Sequence, residues 1–72
     1  MWNLKALLKS YLSLFDSREF DLAELHDIFE AIYSANYSQI PPEFSVHDLL
    51  SFAKERGFVV RLQTGKFKIE LS

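Results

Sequence analysis

The 72-residue sequence contains no cysteine and only two glycines and two prolines. Without a thiol there is no disulfide staple and no thiolate metal site, so a chain of this size must hold itself together by packing alone. That fits a reducing compartment, and a cytoplasmic protein is the expectation. With glycine so scarce, no Gly-rich phosphate loop is present, and no serine stands in a nucleophile-elbow context. Long apolar runs are missing as well. No stretch approaches the roughly 20 residues that span a bilayer, and Lys5, Lys9 and Ser10 interrupt the N-terminal apolar residues before a signal-peptide core can form. The sequence shows no internal repeat, low-complexity tract or linker. Neither an enzyme nor a membrane protein is expected from it, and no cofactor is.

Apolar residues make up 49% of the chain, with seven Phe, three Tyr and one Trp. These large rings bury much area per residue and help a small core. Residues 1–72 are expected to form a single domain. The net charge of −2 is unevenly placed: residues 1–44 carry three basic and seven acidic side chains, residues 45–72 five basic and three acidic. An anionic partner would therefore meet the C-terminal third.

Residues 2–15 read as a first helix, with Leu4, Leu7, Leu8, Tyr11, Leu12 and Phe15 at helical spacing. The segment 16–19 breaks the pattern, and Arg18–Phe20 suits a short extended piece. Asp21, three residues before Glu24, opens a second helix with a capping box. Its apolar stripe is Leu22, Leu25, Phe29, Ile32 and Tyr33, and it fades near Ser34 to Asn36. A loop over 36–44 contains Pro41 and Pro42, which a helix interior does not tolerate, and its Tyr37, Ile40 and Phe44 are expected to fold back on the core. Ser45 caps a third helix, with Asp48 placed to help; Val46, Leu49, Leu50 and Ala53 face inward, and Gly57 ends it.

The last segment alternates with period two. A two-residue turn at Thr64-Gly65 would pair Leu62 with Phe67, Val60 with Ile69 and Phe58 with Leu71, all inward-facing. Arg61 would then lie opposite Lys68, and with Lys66 the three cations would share the outward face.

Three helices, a capped third helix ending in Gly57, and an amphipathic hairpin over Phe58–Leu71 together resemble the winged helix-turn-helix superfamily. The Arg18–Phe20 piece stands as the third strand of its small sheet. The fold class expected is mainly α with a small antiparallel β-hairpin, three helices plus a C-terminal wing. What the resemblance implies is DNA binding, as in a transcriptional regulator, with the third helix in the major groove and the hairpin on the flanking backbone. On this reading Ser45, His47, Ser51 and Lys54 approach the groove, Arg61, Lys66 and Lys68 grip phosphates, and the chain acts as a dimer or within a larger assembly. Many winged helices instead dock proteins, and two features point that way. The loop before the third helix is long, and the outward face of that helix carries Asp48 and Glu55, which repel phosphate. The alternative reading uses Phe52, Pro41 and Pro42, or the acidic face of the second helix, as a protein contact.

Other residues have both a structural and a functional reading. Lysines on the hairpin can serve an anionic partner or discourage edge-to-edge sheet pairing. Phe52 either packs under the Ile40–Phe44 loop or stands out as an aromatic anchor. Trp2 is either a lid on the core or part of a dimer contact through the first helix. Glu24, Asp27 and Glu30 form a solvated face or dock a basic partner. His26 and Glu30 share a helical face, but two weak ligands do not make a metal site.

Overall fold

The computed structural model describes residues 3–71; Trp2, and the expected start of the first helix on it, lie outside them. Helix α1 spans Leu4–Leu12, capped by Asn3, and tightens into a 3₁₀ turn over Ser13–Phe15. Strand β1 is Glu19–Phe20, helix α2 Leu22–Asn36 and helix α3 Val46–Glu55. Strands β2 (Val59–Arg61) and β3 (Phe67–Ile69) form the hairpin. The fold is mainly α with a small antiparallel sheet of order β1-β3-β2, so the extended piece expected near Arg18–Phe20 is a true strand, paired with β3.

Both capping boxes form. Asp21 accepts from the Glu24 N–H at 2.8 Å while the Glu24 carboxylate accepts from the Asp21 N–H at 3.0 Å. Ser45 and Asp48 make the same reciprocal pair at the head of α3. Each pair satisfies N–H groups that the first helical turn leaves without partners. Between α2 and α3 the chain makes a 3₁₀ turn, Tyr37–Gln39, and a β-turn in which the Phe44 N–H donates to the Pro41 carbonyl at 2.9 Å. Gly57, at φ +79, supplies the left-handed stop after α3.

The core draws on every element: Leu4, Leu8 and Leu12 of α1, Leu25, Phe29 and Ile32 of α2, Leu49, Leu50 and Ala53 of α3, and Phe20, Phe58, Val59, Phe67 and Ile69 from the sheet and its approach. Asn36 is the one buried polar residue described; its amide donates to the Ile32 carbonyl at 2.9 Å and accepts from the Tyr11 hydroxyl at 3.3 Å. Three residues expected to be inward are not. Leu22 and Tyr11 are exposed, and Tyr37 is 71% exposed. Leu22 lies in the first turn of α2, Tyr37 in the 3₁₀ turn that follows it, and Tyr11 off the buried side of α1, where its hydroxyl reaches Asn36.

The hairpin register differs from expectation by one residue. Val59 pairs with Ile69, Val60 with Lys68 and Arg61 with Phe67. The cause is the turn. Thr64-Gly65 as a two-residue tip requires positive φ at Thr64 in a type I′ turn, or glycine in the first place in a type II′ turn. A β-branched threonine resists the first and occupies the place needed for the second. The chain instead makes a three-residue turn. The Gly65 N–H donates to the Leu62 carbonyl at 3.0 Å, the Leu62 N–H to the Lys66 carbonyl at 2.8 Å, and only Gly65 takes a positive φ, +89. One extra residue in the turn flips the faces of β2. Val59 is therefore 4% exposed, while Val60 and Leu62 are only half-buried.

The link from α1 to the sheet is tied to β3 by the backbone. The Ser17 N–H donates to the Ile69 carbonyl at 2.8 Å and the Ile69 N–H to the Arg18 carbonyl at 3.2 Å. Ser17 holds a positive φ of 67 there, a conformation non-glycine residues seldom adopt.

Candidate interaction surfaces

The first surface is the exposed side of α3 with the loop before it. Ser45 caps the helix, so its hydroxyl is already engaged: it accepts from the Asp48 N–H at 3.1 Å and donates to the Asp48 carboxylate at 3.0 Å. Asp48 also accepts from the Ser45 N–H at 2.9 Å. The backbone hydrogen bond from Ser45, then the Ser45 hydroxyl, and lastly the charge of His47 hold the Asp48 carboxyl below its ordinary value of 3.8. Asp48 is thus a fixed negative charge at the head of α3, favoured there by the helix dipole.

One turn along, Phe52 is half-buried against the core and shares a shallow hollow with Glu43, Phe44, Asp48, Ser51 and Glu55. Phe44, at the end of the preceding loop, lines the same hollow as Phe52, and the Arg56 guanidinium lies over the Phe52 ring at 5.0 Å. Pro41, next to the buried Ile40, is itself buried and offers no contact surface; Pro42 is exposed. His47 is exposed at the first turn, as is Lys54 at the last.

The second surface is the hairpin. The shifted register breaks up the expected cationic face. Arg61 and Lys68 are not cross-strand partners and point to opposite sides of the sheet. Arg61 lies opposite Phe67, whereas Lys68 lies between Val60 and Glu19, with an acidic neighbour in place of a like charge. Lys68 is half-buried; Lys66 is exposed at the base of the turn. What the register brings together is Arg61 and Lys54, which flank Phe67 in one shallow hollow, with the Lys54 ammonium 5.3 Å from the ring centre. Among the described residues the one close contact between a basic side chain and a carboxylate is His26 Nδ1 to Glu30 Oε2, 3.7 Å apart on α2, so Lys54, Arg61 and Lys66 have no carboxylate partner there. That exposed pair is weakly held. No three His, Cys, Asp or Glu side chains converge to hold a metal ion among the described residues, and no described helix is long and apolar enough to cross a membrane.

Sequence reasoning missed a third surface. Between α1 and α2 lies an open groove lined almost wholly by apolar side chains, among them Leu14, Ile28, Ala31 and Ala35. The only signal for it was Leu14, a large apolar residue off the α1 stripe. Two alanines on an outward helix face carry no signal by themselves.

No family model matches the chain, and no curated protein or solved structure is detectably similar to it. Its function is therefore read from these surfaces.

Proposed function

We propose that this chain is a protein-docking module built on a winged-helix-type frame, and that it docks a basic segment of its partner on α3. The frame is supported by the order of elements, α1-β1-α2-α3-β2-β3, and the sheet order β1-β3-β2. The observation that carries the docking reading is the charge on the exposed side of α3. A helix that enters a DNA groove needs cations or neutral donors facing the phosphates. Here Glu43, Asp48 and Glu55 surround Phe44 and Phe52, and no Lys or Arg lines the hollow. Asp48 cannot be relieved of its charge near neutral pH, because Ser45 stabilises the ionised form. Aromatic rings flanked by carboxylates suit an Arg or Lys side chain, through cation–π contact and ion pairing together. The chain's own Arg56 already makes the first of these contacts on Phe52.

A second reading, a DNA-binding transcriptional regulator, is favoured by one observation: Lys54 and Arg61 flank Phe67 on the neighbouring edge without carboxylate partners among the described residues. Against it stand the carboxylates of Asp48 and Glu55 on the exposed side of α3.

A photo-cross-linking amino acid in place of Ser51, in the middle of the hollow, separates the two readings in cells that express the protein naturally. The docking reading expects a protein adduct of defined mass that disappears when Phe52→Ala is added. A nucleic-acid adduct from the same position contradicts it.

A further inference from the structure

The groove between α1 and α2 lies on elements that the α3 surface does not use. Tyr11 of α1 and Leu14 of the following 3₁₀ turn form one wall, and Ile28, Ala31 and Ala35 of α2 form the other. Its volume is about 500 Å³. Leu14 is 76% exposed, a large apolar side chain left in water. Ala31 and Ala35, one helical turn apart and both exposed, keep the α2 wall low enough for another backbone to approach. From Ile28 to Ala35 the wall runs two turns, about 10 Å, the length over which a docked helix presents anchors at i, i+3 or i+4, and i+7.

The charges around the groove choose its occupant. Helix α2 carries Glu24, Asp27 and Glu30 and no Lys or Arg, and Asp27 lines the groove itself. No Lys or Arg lines the groove, and Arg18 lies over the ring of its Phe15 at 5.7 Å. Pairing two copies of this chain symmetrically through their grooves would bring two all-acidic α2 helices together, a like-charge contact that association disfavours. We infer that this groove receives an amphipathic helix of another protein whose apolar stripe is flanked, on the side facing α2, by lysine or arginine. The apolar stripe covers Leu14 and the two alanines, and the basic flank meets Asp27 and its acidic neighbours. This holds whether α3 docks protein or meets DNA.

The test is an NMR titration of the isotope-labelled chain with three synthetic 14-residue helical peptides. One has Leu at i, i+3, i+7 and Lys on the flank, the second has Glu in place of Lys, and the third scrambles the first. The proposal expects saturable shifts at the amides of Leu14, Ile28, Ala31 and Ala35 with the Lys peptide, at least tenfold weaker binding of the Glu peptide, and none of the scrambled one. Ala31→Arg fills the groove at an exposed helical position and should abolish binding while leaving the circular dichroism spectrum unchanged. Asp27→Lys should reverse the preference between the Lys and Glu peptides. Equal binding of the two peptides, or shifts confined to α3, would overturn the proposal. So would a dimer in sedimentation that Ala31→Arg dissolves, which would give the groove to a second copy of the chain.

Discussion

The α3 side and the α1–α2 side of the molecule treat their surface groups in opposite ways. On α3 and the neighbouring hairpin the surface is charged, and many of its charged groups have local contacts. Asp48 is held by Ser45, Arg56 lies over Phe52 and Lys54 over Phe67. On the α1–α2 side the groove is apolar, and Leu14 projects into water. A surface whose charges have partners within the chain can tolerate water indefinitely. A contiguous apolar groove is the kind of surface that marks an interaction site. The contrast teaches that net charge alone does not mark where this chain engages others: the α3 side presents carboxylates around half-buried rings, and the α1–α2 side an uncovered apolar groove.

That contrast can be broken first at the core beneath both surfaces. Phe29→Ala, at a fully buried position, should cost about 3–5 kcal/mol, and Leu49→Ala or Ile69→Ala about 2–5 kcal/mol, read from urea unfolding. Leu14→Ser on the groove should leave the midpoint almost unmoved, since surface changes away from special features are nearly neutral. A large loss there would mean that Leu14 serves the fold and not a partner.

The hairpin offers a smaller effect that sharpens the same point. Val59→Ala should cost about 2 kcal/mol and Val60→Ala at most about half of that, because only the first removes fully buried methyl groups. Equal losses would restore the two-residue turn and with it a continuous cationic face.

The smallest expected effect lies at the head of α3. Ser45→Ala should cost about 1 kcal/mol near neutral pH through the lost cap. Asp48 titrates below its ordinary value in the folded chain, so its contribution is present above about pH 4 and is lost as the pH falls through its folded value. Thermal melts of the wild type and Ser45→Ala should therefore converge partly, not wholly, on acidification. The Asp48 carboxyl in Ser45→Ala should titrate closer to 3.8, but not all the way, since the backbone bond from Ser45 remains. A difference between the melts that is independent of pH would deny Asp48 its part in the cap.

Most of the fold was legible because its signals are local. The capping residues Asp21 and Ser45, the stop at Gly57 and the period of each helix act within a turn or two of chain. The register was not legible from alternation alone. Phe58, Val60 and Leu62 alternate as well as any inward set, but the φ angles available to Thr64 decided the turn, and the turn decided which valine is buried. The site residues divided along the same line. Lys54 and His47 could be placed outward from helix geometry, whereas the grouping of Arg61 with Lys54, and its separation from Lys68, followed from that one-residue shift. Pro41 was legible as a helix breaker but not as buried, since its burial depends on how the loop folds over α2 and α3. The groove was the least legible, because it exists only where two helices separated in sequence lie side by side.

The docking reading of α3 is tested most directly by titrating labelled random-sequence duplex DNA with the purified chain at low and moderate salt. Attraction to phosphate is greatest at low salt, so the absence of binding there is informative. The account predicts no saturable binding by the wild type at low salt, and measurable binding only after Asp48→Asn and Glu55→Gln together remove the repulsion. Saturable low-salt binding by the wild type, with a salt slope that drops by about one unit in Arg61→Ala or Lys66→Ala, would contradict it and make the chain a DNA-binding module.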